Sequence, residues 1–206
     1  MKQFYSAVVA GFLIGMSCTV YQLANTNYEG AFLFCLGLTV ICTYDLDLFT
    51  GRVGYVKASQ TDANLGVIWV GNLLGAVLCA AVMNSLSPDM SHLSEVSMLS
   101  RLNQPTHKTV ILSMLCGVLM FLAVDLYKLN RARHVFPYTG ILLCVPAFLM
   151  CGFEHSVADM FYLSASGMLR TAPMHLLLVS LGNAVGAIVT RQVLRLVRNG
   201  GEDMTT

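Results

Sequence analysis

Glu154, His155 and Asp159 stand within six positions of one another in the run Met150 to Phe161, M-C-G-F-E-H-S-V-A-D-M-F. Imidazole is the side chain whose ordinary titration falls near neutral pH, so it can hold or release a proton where a carboxylate or an ammonium cannot. Glu154 and His155 interrupt apolar sequence, Tyr138 to Met150 before them and Val157 to about Met168 after them, and Asp159 lies within the second piece. An ionisable group at bilayer depth costs about 2.5–3.5 kcal/mol even on lenient scales, and therefore points to function. Gly152 before them and Ser156 after them predict a helix that stops and restarts. An intramembrane enzyme built on Glu154, His155 and Asp159 is disfavoured, because no nucleophile, cofactor motif or metal cluster accompanies the histidine.

A second polar interruption ends an apolar run from Gly30 to Thr43 with Tyr44, Asp45, Asp47 and Leu48-Phe49-Thr50-Gly51. A run of roughly 14 residues is short of the ~20 that a membrane helix needs. Either Asp45 and Asp47 sit at the surface, or the helix is broken and finishes after Gly51.

The elements that must position these residues follow from composition. The chain has 206 residues, 56% hydrophobic and 11% charged, with mean hydropathy +0.67. A soluble domain carries about 25% charged residues, so the sequence is that of an all-α integral membrane protein. Six apolar segments are expected: Tyr5–Leu23, one from Gly30, Leu65–Met83, Lys108–Tyr127, one from Tyr138, and one from Pro173 to the Arg198 region. They form a single membrane domain over 1–198, followed by a disordered tail over 199–206, with no cleavable signal peptide. The connection Asn84 to His107 is long enough to fold over one mouth. The seven cysteines all fall in apolar segments and read as small buried hydrophobes, and no metal or cofactor is expected. Twelve basic residues against 11 acidic ones give no sign of a nucleic-acid partner, and membrane lipid is the expected surrounding. Placing both termini in the cytoplasm of a cell-membrane protein puts nine of the twelve Lys and Arg on the inner flanks.

Two motifs repeat. Gly-Asn-Leu-Leu-Gly-Ala from Gly71 matches Gly-Asn-Ala-Val-Gly-Ala from Gly182, an offset of 111 (182 minus 71). Thr50 pairs with Ser156 at 106 (156 minus 50). Two halves of three spans in opposite membrane orientation make an inverted repeat, whose site lies near the midplane where the second and fifth helices are interrupted.

Gly152 to Met160, Asp47 to Gly51 and the two Gly-Asn-x-x-Gly-Ala runs resemble the formate/nitrite transporter family, over about Ala10 to Thr190. Asp159 stands where that family usually has Asn, Asp47 where it has Glu, Cys116-Gly117 where it has Asn, and Arg52 where Asn is frequent. The resemblance implies an aquaporin-like protomer with its own pore, assembled as a homopentamer, passing small monovalent weak-acid anions such as formate, nitrite or hydrosulfide. It makes His155 and Thr50 the central polar residues and Phe34, Leu38, Leu48, Phe49 and Phe148 the apolar constrictions.

A bare anion meets a desolvation barrier at an apolar constriction, whereas a neutral acid loses only the hydration of its polar group. A central histidine that modulates protonation of the permeating anion suits such a pore. Thr50 and Ser156 either donate to the anion or cap the restarting helices, the cap being favoured for Ser156. Glu154 is expected to anchor backbone N–H groups at the break; Asn72 and Asn183 either touch substrate or, the favoured reading, tie the broken segments in place. Arg101 and Lys108 are expected either to funnel anions or to be solvated, and His92, His107, His134 and His175 to be interfacial. The alternative is an aquaporin-like channel for small neutral solutes, indifferent to His155 and to pH.

Overall fold

The computed structural model describes residues 1–56, 64–87 and 89–202, with side chains through residue 197. Lys57, most of the polar linker from Ser59, the Arg198 side chain and residues 203–206 lie outside the described residues. Every described element is helical: α1 Lys2–Leu23, α2 Asn27–Leu33, α3 Cys35–Thr43, α4 Phe49–Arg52 with a 3-10 turn Val53–Tyr55, α5 Leu65–Leu86, α6 Asp89–Leu102, α7 Thr106–Ala132, α8 Thr139–Met150, α9 Ser156–Ala165 and α10 Pro173–Glu202.

Four of these, α1, α5, α7 and α10, are long and apolar enough to cross a membrane. The 22 residues of α5 rise about 33 Å, against a hydrocarbon core of ~30 Å. The apolar stretches Asn27–Thr43 and Thr139–Met150 are shorter. Asn64 starts α5 by accepting the Val67 N–H at 3.2 Å, and Thr26 starts α2 by accepting that of Glu29, also at 3.2 Å.

Helix contacts are close because glycines remove the side chain where backbones meet. α1 runs along α5: a Cβ on Gly11 would lie 2.1 Å from the Asn72 carbonyl oxygen, and one on Gly75 2.0 Å from that of Val8. α7 runs along α10 in the same way, with Gly117 at 2.2 Å from the Asn183 oxygen and Gly186 at 2.0 Å from that of Met114. Gly11 and Gly117 differ by 106 positions (117 minus 11), and Gly75 and Gly186 by 111 (186 minus 75). The chain therefore builds the same backbone contact twice.

Two places turn the chain sharply. α3 ends at Thr43, Asp45 takes φ 53°, and α4 begins at Phe49. α8 ends at Met150, Gly152 takes φ 66°, and α9 begins at Ser156. A Cβ on Gly152 would meet nothing within 4 Å, so this glycine serves the left-handed backbone and not a tight fit. The long connection after α5 is not irregular but carries α6, which buries Met90, Ser94 and Met98 and packs against α9.

Candidate functional site

Two asparagines hold the turns. Asn72 on α5 accepts the Phe49 N–H at 2.8 Å and donates to the carbonyls of Ala7 (2.8 Å) and Asp47 (2.9 Å). Asn183 on α10 accepts the Ser156 N–H at 2.9 Å and donates to the carbonyls of Ser113 and Glu154, both at 2.8 Å. Both are wholly buried, so each amide satisfies backbone groups that a chain outside its helices would otherwise leave unpaired. The partners correspond: Ala7 with Ser113 (106 apart), Asp47 with Glu154 and Phe49 with Ser156 (both 107 apart).

So held, the two turns face each other. Thr50 Oγ1 lies 2.9 Å from His155 Nε2, with Thr50 2% and His155 1% exposed. His155 Nδ1 accepts the Ala158 N–H at 3.1 Å, which makes His155 the N-cap of α9. That corrects the expectation for Ser156, whose buried hydroxyl has no hydrogen-bond partner. An acceptor at Nδ1 requires a lone pair there, so the neutral ring carries its hydrogen on Nε2 and donates it to Thr50. Phe148 stacks on the imidazole at 5.7 Å between centroids, and Phe34 meets Phe148 edge-on at 6.0 Å. Phe34 occupies the junction between α2 and α3.

On the Thr50 side a vestibule of about 410 Å³ opens between α3, α4 and α7. Leu38, Leu48 and Gly51 line it together with Arg52, Lys128 and Arg131, three cations against Asp45. Arg52 spans both acids of its turn, at 3.2 Å from Asp45 and 3.0 Å from Asp47. Phe49 is buried, is not among the vestibule-lining residues, and contributes its N–H to Asn72. The structure thus gathers Thr50, His155, Phe34 and Phe148 at one point, while Leu38 and Leu48 line the vestibule.

On the α6 side Glu154 does not anchor backbone N–H groups with its carboxylate. Its side chain accepts from Arg101 (3.0 Å) and Gln104 (2.6 Å), and Arg101 also donates to Asp159. Arg101 is therefore neither a mouth funnel nor a solvated loop charge. His175 is half-buried with Nε2 3.5 Å from Asp159 Oδ2, not an idle interfacial ring. Sequence reasoning reads Arg101 as a funnel or a solvated charge and His175 as interfacial, and does not single out Gln104. The signal that leads to them is the need of two buried carboxylates for cations from a neighbouring segment.

The family model described as "Formate/nitrite transporter" matches residues 1–197. The formate channel FocA of Escherichia coli (strain K12) is 28% identical over 193 residues, covering 82% of this chain and 68% of that protein. The nitrite transporter NirC of Salmonella typhimurium (strain LT2) is 29% identical over 177 residues, covering 76% and 65%. Among solved structures, a "Pentameric formate channel with formate bound" superposes with a TM-score of 0.77 at 22% identity, covering 98% of this chain and 97% of that one. The match spans nearly the whole sequence, the apolar helices suit a membrane, and the fold is shared with formate channels, a class of transport proteins and not of enzymes. The chain belongs to the formate/nitrite transporter family.

Proposed function

We propose that this chain is a channel or proton-coupled transporter for small monovalent weak-acid anions, with formate, nitrite and hydrosulfide as the candidate substrates. The observation that carries the reading is the Thr50–His155 hydrogen bond, set where two turned segments meet, with Phe148 stacked on the ring and Phe34 against Phe148. A polar donor pair inside an apolar shell lowers the barrier for an anion or a weak acid, and gives less to a neutral solute.

The vestibule supplies the first attraction. With Arg52 paired to Asp45 and Asp47, Lys128 and Arg131 supply the positive charge that concentrates anions at a mouth walled by apolar side chains. Crossing to His155 requires Leu48 or Phe148 to shift, since the ring is only 1% exposed. There the anion exchanges its lost water for the Nε2–H and the Thr50 hydroxyl. The ring acts first as a hydrogen-bond donor, because its Nδ1 is engaged by Ala158. A second proton on the ring must displace that cap, so formation of imidazolium loosens the start of α9 and couples protonation to the pathway. The anion leaves as a neutral acid once it has taken up a proton, from the ring or through water.

The remaining architecture follows the same reading. Six spans are formed by α1, α2–α3 with α4, α5, α7, α8 with α9, and α10, the second and fifth interrupted, in an aquaporin-like inverted repeat. The contacts that recur at offsets of 106 to 111 support it. Both termini are cytoplasmic, so the basic vestibule faces inward and α6 outward. Five copies assemble, as in the pentameric formate channel of like fold. Purified protein in liposomes with an internal pH dye, challenged with formate, nitrite, hydrosulfide and lactate, tests the reading. Uptake of one or more of them is expected, and uptake of uncharged solutes alone would defeat it.

A further inference from the structure

Four side chains beside the start of α9 form a charged cluster for which anion passage at His155 has no use. Glu154 is 2% and Asp159 0% exposed, and both are held by the single guanidinium of Arg101. Two carboxylates against one cation leave the group one positive charge short. A buried charge without a partner is costly, so a second cation is needed for balance. Asp159 Oδ2 and His175 Nε2 are both buried, both lack a hydrogen-bond partner, and lie 3.5 Å apart. A proton on the His175 ring turns this pair of orphan atoms into a charged hydrogen bond and brings the cluster to two negative and two positive charges. The His175 side chain keeps 10% of its surface open, which leaves it a route for proton exchange.

The cluster is tied to the central histidine. Glu154 directly precedes His155, and the Asp159 N–H donates to the His155 carbonyl at 2.9 Å, in the first turn of α9. The charged groups facing His175 are Asp159 from α9, Glu154 from the turn before it and Arg101 from α6, among the described residues. With both carboxylates ionised, the net charge at this place is minus one when the His175 ring is neutral and zero when it is protonated, next to the point where an anion must pass.

We propose that His175 and Asp159 form a second proton-holding site, on the α6 side, whose occupancy sets the charge beside His155 and makes anion uptake depend on the pH of that compartment. His175 is a positioning residue in this scheme and need not touch the anion. The proposal rests on the anion-pathway reading above. Two readouts test it. In liposomes taking up formate across external pH of about 5 to 8, His175→Gln and Asp159→Asn are each expected to remove the same step from the pH profile. The double variant should then lie within about twofold of either single variant, since both changes remove one interaction. In parallel, histidine-labelled protein in nanodiscs gives the imidazole titrations by NMR, with the His175 signal identified by its loss in His175→Gln. Asp159→Asn should move that midpoint by about one pH unit. A His175 titration unmoved by Asp159→Asn, or a wild-type pH profile retained in His175→Gln, overturns the proposal. Wild-type liposomes that take up no anion at any pH overturn the reading beneath it, while the NMR titration still decides the coupling.

Discussion

At the residue scale, the Thr50–His155 contact concentrates the chemistry in one hydrogen bond of 2.9 Å inside an apolar shell. His155→Phe keeps the ring volume and the stack on Phe148 but removes both nitrogens. Pentamer yield is expected to persist while pH-dependent anion uptake disappears, as read from dye-loaded liposomes. Thr50→Val keeps the shape and deletes only the hydroxyl. Loss of one buried hydrogen bond of about 1–1.5 kcal/mol corresponds to roughly tenfold slower uptake. Uptake unchanged in Thr50→Val would mean that the anion does not use this contact. Arg101 is a different case. Arg101→Ala leaves Glu154 and Asp159 buried without their cation, a change of about 3–5 kcal/mol. A large fall in the unfolding temperature of the detergent-solubilised protein is expected, well beyond that of the isosteric Glu154→Gln.

At the scale of elements, Asn72 and Asn183 decide whether the turned segments hold their places. Asn72→Leu strands the Phe49 N–H and the carbonyls of Ala7 and Asp47. With about 1–3 kcal/mol for each unsatisfied buried group, the loss approaches the stability of an ordinary domain. Thermal unfolding should therefore shift strongly, and Asn183→Leu should behave alike because its three partners correspond. A mild effect for one and a severe effect for the other would argue against equivalent roles in the two halves. The glycines allow a sharper comparison. A Cβ on Gly75 falls 2.0 Å from the Val8 oxygen, so Gly75→Ala must push α1 away from α5, whereas Gly51 has its nearest foreign atom at 3.6 Å and tolerates alanine. Yield of assembled protein from the two variants is the measurement.

At the scale of the molecule, α5 and α10 each turn an apolar stripe outward. Val70, Leu74, Leu78 and Val82 recur every fourth residue on α5, and Leu177, Leu181, Val185 and Val189 do so on α10. Surfaces of that kind must be covered by lipid or by another copy of the chain. Light scattering of the purified protein is expected to give five chains of 22.4 kDa once bound detergent is subtracted. A monomer that still transports would detach function from assembly.

Much of this was legible before any coordinates, for a physical reason. Length and apolar content set which helices can cross a bilayer, so α1, α5, α7 and α10 lie where the apolar runs Tyr5–Leu23, Leu65–Met83 and Lys108–Tyr127 and the run from Pro173 place them. Family membership was legible too, since Gly152 to Met160 and the two Gly-Asn-x-x-Gly-Ala runs are contiguous strings. What no string carries is which distant group answers a buried donor or charge. That Arg101 reaches Glu154 from 53 positions away, that His155 and not Ser156 caps α9, and that His175 meets Asp159 were decided by the packing of α6 and α10 around the turn. Those choices depend on desolvation and distance in three dimensions, and local propensity is silent about both.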